Sequence, residues 1–537
     1  MSLENFLYRL HFDTENSRPS DLEVDWGDAP LTYKLYRGLP VIPLPGDVPL
    51  SLVDQTVSQE MSLPQLGAWL WYSYGLIQIS QSFLTTTTAD AGSESFLPLV
   101  TNRRPVPSGG GLYPSELYVY LKLSTIPSGL YHYDVAHHRL VQLREGNFDH
   151  VLSRALDGSC PVHACFGVAF VSIYFWKNFF KYDEFSYRLQ GLDAGVLLGQ
   201  LQEMANQLGV TTAVHYQFLD RAMNALLGLS ADQESVYAVV PLSLQTDGER
   251  HSHSPAQWTE RGEKTAIELI RELPEQKHVH VHVMRSKRMR QYPALLQMNE
   301  AAMQESTHAF TRYSDQLESK WPRRSDERIL LPRSQKPNYD LAQYCRERFS
   351  PEVDFIRRKT DQNQVARIME MTMSALSYGN DLGNNLEVAW SRISLFVSIH
   401  QVEGIQDGAY AYEPLEHALY PIVYGDFRAR LQDGMTLDNV NLYQVPLCFH
   451  VVGKRDHLIN QLGYRGYRIQ QMEAGIVVHH LLLAAFTCGM GGHPLLGFDV
   501  ENCDDLYNLE TEEKTCLIQI PVGHYRPRAR FQGGLHG

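Results

Sequence analysis

Between Arg103 and Pro114 the chain reads Arg-Arg-Pro-Val-Pro-Ser-Gly-Gly-Gly-Leu-Tyr-Pro. Three successive glycines let the main chain come close to a flat or anionic ligand, and Ser108 adds a hydroxyl that both donates and accepts. Arg103 and Arg104 stand beside them with planar guanidinium groups suited to a phosphate. The two common phosphate loops are excluded: no Gly-Lys-Ser/Thr follows, and the glycine spacing does not fit a dinucleotide fold. A tight surface turn bounded by prolines is the alternative reading of the same residues. His278, His280 and His282 alternate, which puts three imidazoles on one face of a strand. No carboxylate or thiolate stands near to complete a site, so an exposed strand face explains them better and no metal is expected. The pairs His137-His138 and His479-His480 have no such support either. Seven cysteines form an odd, scattered set without a C-x-x-C pair, which fits reduced, mostly buried thiols better than a disulfide frame or a zinc site.

The elements that must hold such residues occur twice. Tyr187-Arg188-Leu189-Gln190-Gly191-Leu192-Asp193-Ala194-Gly195 returns 280 residues on as Tyr467-Arg468-Ile469-Gln470-Gln471-Met472-Glu473-Ala474-Gly475. Five of the nine positions are identical and three more are conservatively replaced. At the same offset Phe218, Leu229 and Pro241 meet Phe498, Leu509 and Pro521. One residue off it, Gly129-Leu-Tyr-His-Tyr133 meets Gly408-Ala-Tyr-Ala-Tyr412. A collinear series of this length indicates a duplicated domain, with a period far too long for a solenoid. The reading divides the chain into an N-terminal segment (1–30), a first copy (31–245), a connector (246–335) and a second copy (336–537). The copies are expected to pack as a homodimer would, about a pseudo-twofold axis. The connector, with a helical-looking run around Glu260 to Leu273 and basic residues Arg285, Lys287, Arg288 and Arg290, is expected to run over the surface as a solvated face.

Within each copy the pattern is α+β. Leu117–Leu121 and Gly167–Ile173 are apolar, β-rich runs. Apolar residues at 189, 192, 196, 197, 201, 204, 205 and 208 keep helical spacing up to Gly209, and the counterpart ends at Gly489. No regular βαβα alternation occurs, so a mixed sheet with helices on both sides is expected. At 537 residues, 44% hydrophobic and 20% charged, the chain has the makeup of a globular protein with more than one core. A formal charge of −14 argues against general nucleic-acid binding, which needs a basic surface. The most hydrophobic stretch, Phe166 to Trp176, is about half the ~20 residues of a membrane helix and reads as a buried strand. The start Met-Ser-Leu-Glu-Asn lacks the basic region and apolar core of a secretory signal. A cytoplasmic protein is expected, with neither nucleic acid nor membrane as partner.

Arg104-x-x-Pro107-Ser108-Gly109-Gly110-x-Leu112-Tyr113-Pro114, followed by Glu116-Leu-Tyr118, resembles the signature of the SagB/McbC-type azoline dehydrogenases, a branch of the FMN-dependent nitroreductase superfamily. Tyr36-x-Gly38-Leu39-Pro40, Trp71-Tyr-Ser-Tyr74-Gly75 and the Tyr187-Arg188 helix are similar to that family too. In length and tandem layout the chain looks most like the thiazoline oxidases of cyanobactin biosynthesis. The resemblance covers most of both copies and rests on the ordered set of motifs.

It implies two tandem nitroreductase-like domains forming a pseudo-dimer, with FMN as cofactor. Pro107, Ser108, Gly109 and Gly110 would contact the flavin ring and ribityl chain, with Arg103 and Arg104 beside them, and Lys181-Tyr182 would be the family's catalytic Lys-Tyr pair. Members hold the FMN phosphate with an Arg-rich start and a Gly-x-x-x-Arg-like tail. The first copy lacks both. The second has Arg346-Glu-Arg348-Phe-Ser350 and Gly523-His-Tyr-Arg526-Pro-Arg528, yet lacks the Pro-Ser-Gly-Gly turn and a Lys-Tyr pair before Tyr467. These complementary departures imply one composite site per chain, with Gly489, Gly491 and Gly492 leaving room near the ribityl chain; a site between two chains is a variant. The implied activity is oxidation of a thiazoline or oxazoline in a heterocyclised precursor peptide to the aromatic azole. One proton goes to a base, a hydride to FMN, and the electrons on to dioxygen. An NAD(P)H-dependent nitroreductase or flavin reductase, and a flavin-free peptide-binding scaffold, are the alternatives. The layout also allows two chains to pair as a homodimer.

Overall fold

The apolar run from Leu189 to Leu208 is the body of a 23-residue helix, Ser186–Leu208, closed by Gly209 in the left-handed region at φ +71°. Its repeat partner is a second 23-residue helix, Arg465–Thr487. The structure, a computed structural model, describes all residues except 15–23, 54, 56–59, 88–93, 245–261, 276–279, 312–326, 334–336, 384–385, 528–530 and 535–537. The two long helices lie against each other with the same residues facing. A Cβ on Gly195 would overlap the carbonyl of Met472, and one on Gly475 would overlap the carbonyl of Leu192. Leu192 and Met472 are themselves repeat partners, so the contact is reciprocal. The Tyr187 and Tyr467 rings stack at 5.7 Å with 14° between their planes.

Each long helix covers a sheet. In the first sheet six strands stand in the order Arg139–Glu145, Gly129–Asp134, Ser115–Leu121, Gly167–Tyr174, Glu234–Leu244, Val210–Val214, with Val41–Pro43 at one edge. The second sheet repeats that order with Ala418–Tyr424, Gly408–Glu413, Ile393–Ile399, Leu447–Lys454, Lys514–Gly523 and Gly491–Gly492, with Ile329–Leu330 at the matching edge. Even the irregularities coincide: the register slips between Val171 and Ser172 against the neighbouring strand, and between Val451 and Val452 in the second sheet. The result is the mixed α+β architecture expected from the sequence.

Two segments of the second half complete elements of the first. Gly379–Asn380 adds a parallel edge strand to Val210–Val214. Near the C-terminus, Phe531–Gly534 pairs with Gln78–Gln81 of a long hairpin whose other strand ends at Arg103. The largest core cluster runs through both halves, with Leu197, Leu201, Val477 and Leu481 fully buried. The connector is less superficial than its composition predicts: in its helix Pro293–Ala301, Leu295 and Met298 are fully buried. Among the described residues one helix, Arg465–Thr487, is apolar and long enough to cross a membrane, but it is mostly buried inside the protein. The described cysteines carry no disulfide.

Candidate functional site

The Pro-Ser-Gly-Gly turn rests on the first long helix. Ser108 Oγ donates to Asp193 Oδ2 at 2.7 Å and accepts from the Tyr113 amide at 2.9 Å, while the Gly109 amide donates to Asp193 Oδ1 at 3.3 Å. Burial pushes the Asp193 carboxyl up to about 7, against the pull of the Ser108 and Gly109 donors. Gly110, at φ +63°, has a conformation that other residues rarely adopt, and a Cβ there would press on the tips of two side chains. A Cβ there would stand 2.6 Å from the Tyr182 hydroxyl and 2.8 Å from Lys181 Nζ. The bare backbone of the turn thus lies directly on Lys181 and Tyr182, which end the short helix Trp176–Tyr182. The Lys181 ammonium lies 4.8 Å from the Tyr182 ring centre and 5.5 Å from that of Trp26.

A second group of residues meets the same loop from the other half. Arg103 donates to the main-chain carbonyls of Arg346 and Arg348. Arg348, only 6% exposed, donates through Nε to the Pro105 carbonyl at 2.9 Å and reaches Ser350 Oγ at 3.3 Å. Arg346 bonds the Leu50 carbonyl at 2.6 Å and the Tyr72 hydroxyl at 3.3 Å. The guanidinium groups of Arg103 and Arg348 therefore lie at the loop three to five residues before Ser108, while that of Arg346 turns to Leu50 and Tyr72, in a chain of net charge −14. The C-terminal tail returns here as well. A Cβ on Gly491 would meet Pro351 at 2.7 Å and Tyr525 at 2.9 Å, and Gly534 pairs with Gln78, which in turn faces Arg103. Arg526 is exposed, with its amide bonded to the Asp354 carbonyl; Arg528 lies outside the described residues.

Other expected contacts lie elsewhere. Arg104 is buried between the rings of Tyr74 and Tyr113, at 4.0 and 4.9 Å, and donates to the Thr32 carbonyl at 2.6 Å. That places its charge inside the first half, away from the arginine group. Gly492 makes room for Leu482 and Val522, a packing role, and Gly489 forms the left-handed turn after the second long helix at φ +70°. Of the three alternating histidines, His278 is outside the described residues, His280 bonds the Leu143 carbonyl, and His282 packs edge-on against Tyr174. Neither type nor spacing marks Asp193 in the sequence. Its only sequence signal was the repeat, where Glu473 takes its place. In the second half that acid holds Arg392 at 2.5–3.1 Å, both side chains fully buried, where the first half has the serine–glycine turn.

The residues present fit FMN. A backbone cradle that a single Cβ would fill suits a flat ring, Ser108 supplies a hydroxyl, and Arg103, Arg346, Arg348 and Ser350 make a donor set suited to a phosphate.

Residues 393–524 match the profile of the nitroreductase family. The whole chain shares its fold with a protein of Anabaena variabilis provisionally assigned as a nitroreductase: the match covers 98% of this chain and 99% of that one, with a TM-score of 0.72 at 21% identity. The trifolitoxin-processing protein TfxB of Rhizobium leguminosarum bv. trifolii is 30% identical over 139 residues, which is 25% of this chain and 37% of TfxB. The match thus spans little more than a third of that relative's length.

Proposed function

We propose that the chain is an FMN-dependent oxidoreductase that oxidises thiazoline or oxazoline rings of a heterocyclised precursor peptide to azoles. The observation that carries the reading is the meeting at Gly110, where the turn suited to a flavin ring lies within contact distance of Lys181 Nζ and the Tyr182 hydroxyl. FMN held by this cradle would supply a two-electron acceptor for the hydride, with dioxygen as the final acceptor. Tyr182 takes the proton from the ring carbon, and the ammonium of Lys181 beside it favours the phenolate that a base requires. Gly110 lets both groups approach the bound ring, and Asp193 holds Ser108 and Gly109 in place. Arg103, Arg346 and Arg348 bind the phosphate, so each half contributes what the other lacks.

Several observations support the layout behind this reading, with copies at 31–245 and 336–537 packed as a pseudo-dimer. The two sheets share a strand order, and the glycines of the long helices touch reciprocally. Where the first half has its turn on Asp193, the second has the buried Arg392–Glu473 pair, which favours one flavin per chain. A relative named for processing trifolitoxin supports a processing role. Lys181→Ala and Tyr182→Phe are expected to keep FMN bound and to lower azoline turnover by about 10²- to 10⁴-fold. Wild-type turnover in both variants would remove the pair from the chemistry.

A further inference from the structure

The helix that carries Lys181 and Tyr182 ends on a backbone shape that glycine normally supplies. Asp183, the next residue, has φ +52° and ψ −139°, a region populated almost solely by glycine. The second half makes the same turn 280 residues on with Gly463, at φ +60° and ψ −162°, after the helix Ile459–Leu462. The turn itself therefore asks for glycine, and one half has it. The half that departs is the half with Lys181-Tyr182 ahead of the turn; Gln461-Leu462 stand there in the other.

What holds Asp183 in that shape comes from the connector. Its carboxylate accepts from the Glu184 amide at 2.8 Å and pairs with Arg290. The same guanidinium donates to the carbonyls of Phe179 and Phe180, each at 3.2 Å, and lies 5.3 Å from the Phe179 ring centre. Those carbonyls belong to the last helical turn, whose acceptors have few partners within the helix. The connector is tied down close by. The amides of Lys287 and Arg288 bond the Asp28 carboxylate at 2.8 Å, Arg288 pairs with Asp25 at 2.6 Å, and Ser286 Oγ accepts from the Trp176 indole at the start of the same helix. Between Asp25 and Asp28, the Trp26 ring meets that of Phe180 edge-on, and the Lys181 ammonium lies over it.

We infer that Arg290 and Asp183 are a positioning pair: the connector clamps the end of the helix so that the Lys181 amine and the Tyr182 hydroxyl stay against the Gly110 turn. The inference rests on the assignment of Lys181 and Tyr182 as the reacting groups. A strained backbone is kept where it sets geometry, and a displacement of about 1 Å at a reacting group can cost on the order of 10²-fold in rate.

The test uses the full-length, flavin-loaded protein and reads both amide hydrogen exchange over residues 176–186 and steady-state turnover. Arg290→Ala is expected to speed exchange at 181–184 and to lower kcat by about 10- to 100-fold, with KM and flavin content unchanged; Arg290→Lys recovers part of kcat. Asp183→Gly separates positioning from stability. It relieves the backbone, so the protein melts no lower, yet kcat falls as in Arg290→Ala, and the double variant is no worse than either single one. Unchanged exchange in Arg290→Ala, or wild-type kcat in Asp183→Gly, would overturn the pairing. Should the wild-type protein oxidise no azoline, exchange still decides whether the clamp exists, and the assigned reaction falls by itself.

Discussion

At the scale of single residues, the account turns on Ser108, Gly109 and Gly110 and on the groups beneath them. The turn was legible because three glycines after a serine are rare enough to stand out. Its support was not, because Asp193 lies 85 residues away from Ser108 along the chain and reaches it only after the helix has packed. The carboxyl of Asp193 makes a specific pH prediction. Its folded value, about 7, lies above the ordinary value near 3.9, so the folded chain holds a proton that the unfolded chain has released. The stability contributed by this group is therefore present below about pH 4, falls as pH rises towards 7, and levels off above. Asp193→Asn removes the titration. Urea unfolding from pH 4.5 to 8 should show the stability of the wild type declining relative to the variant through that window. A difference independent of pH would contradict the raised carboxyl. Arg104 is the reverse lesson: two adjacent arginines look alike in sequence, but one reaches outward to Arg346 and Arg348 while the other is drawn between two tyrosine rings.

At the scale of elements, periodicity and glycine placement located the long helices and the main strands. The repeated Gly195 and Gly475 have a concrete cause, since two helix backbones meet there and neither can accept a Cβ. Gly195→Ala should push the helices apart and lower stability by about 1–3 kcal/mol or more, as overpacking does. Thermal melting measures it, and an unchanged melting temperature would contradict the close approach. In the connector the basic Arg285, Lys287 and Arg288 are exposed as their charge suggests, while Ala266, Leu269, Leu295 and Met298 are fully buried. Composition reports the average face of a segment, whereas burial depends on where neighbouring elements leave room. The same reasoning hid the edge strand Gly379–Asn380 and the returning strand Phe531–Gly534, short pieces whose pairing partners lie in the other half.

At the scale of the whole molecule, the two sheets share a strand order, and the proposed function rests on how the two halves differ. The first half keeps the turn and the Lys-Tyr pair; the second brings Arg346 and Arg348 to the loop that holds the turn. Under the proposed reading neither half alone assembles both groups. In the proposed function this site takes a hydride from an azoline ring. The most direct measurement is the visible spectrum of the flavin-loaded protein, mixed under anaerobic conditions with a thiazoline-containing peptide. The flavin band is expected to bleach on mixing and to return when air is admitted. A band that ignores the peptide and bleaches only with NAD(P)H would contradict it.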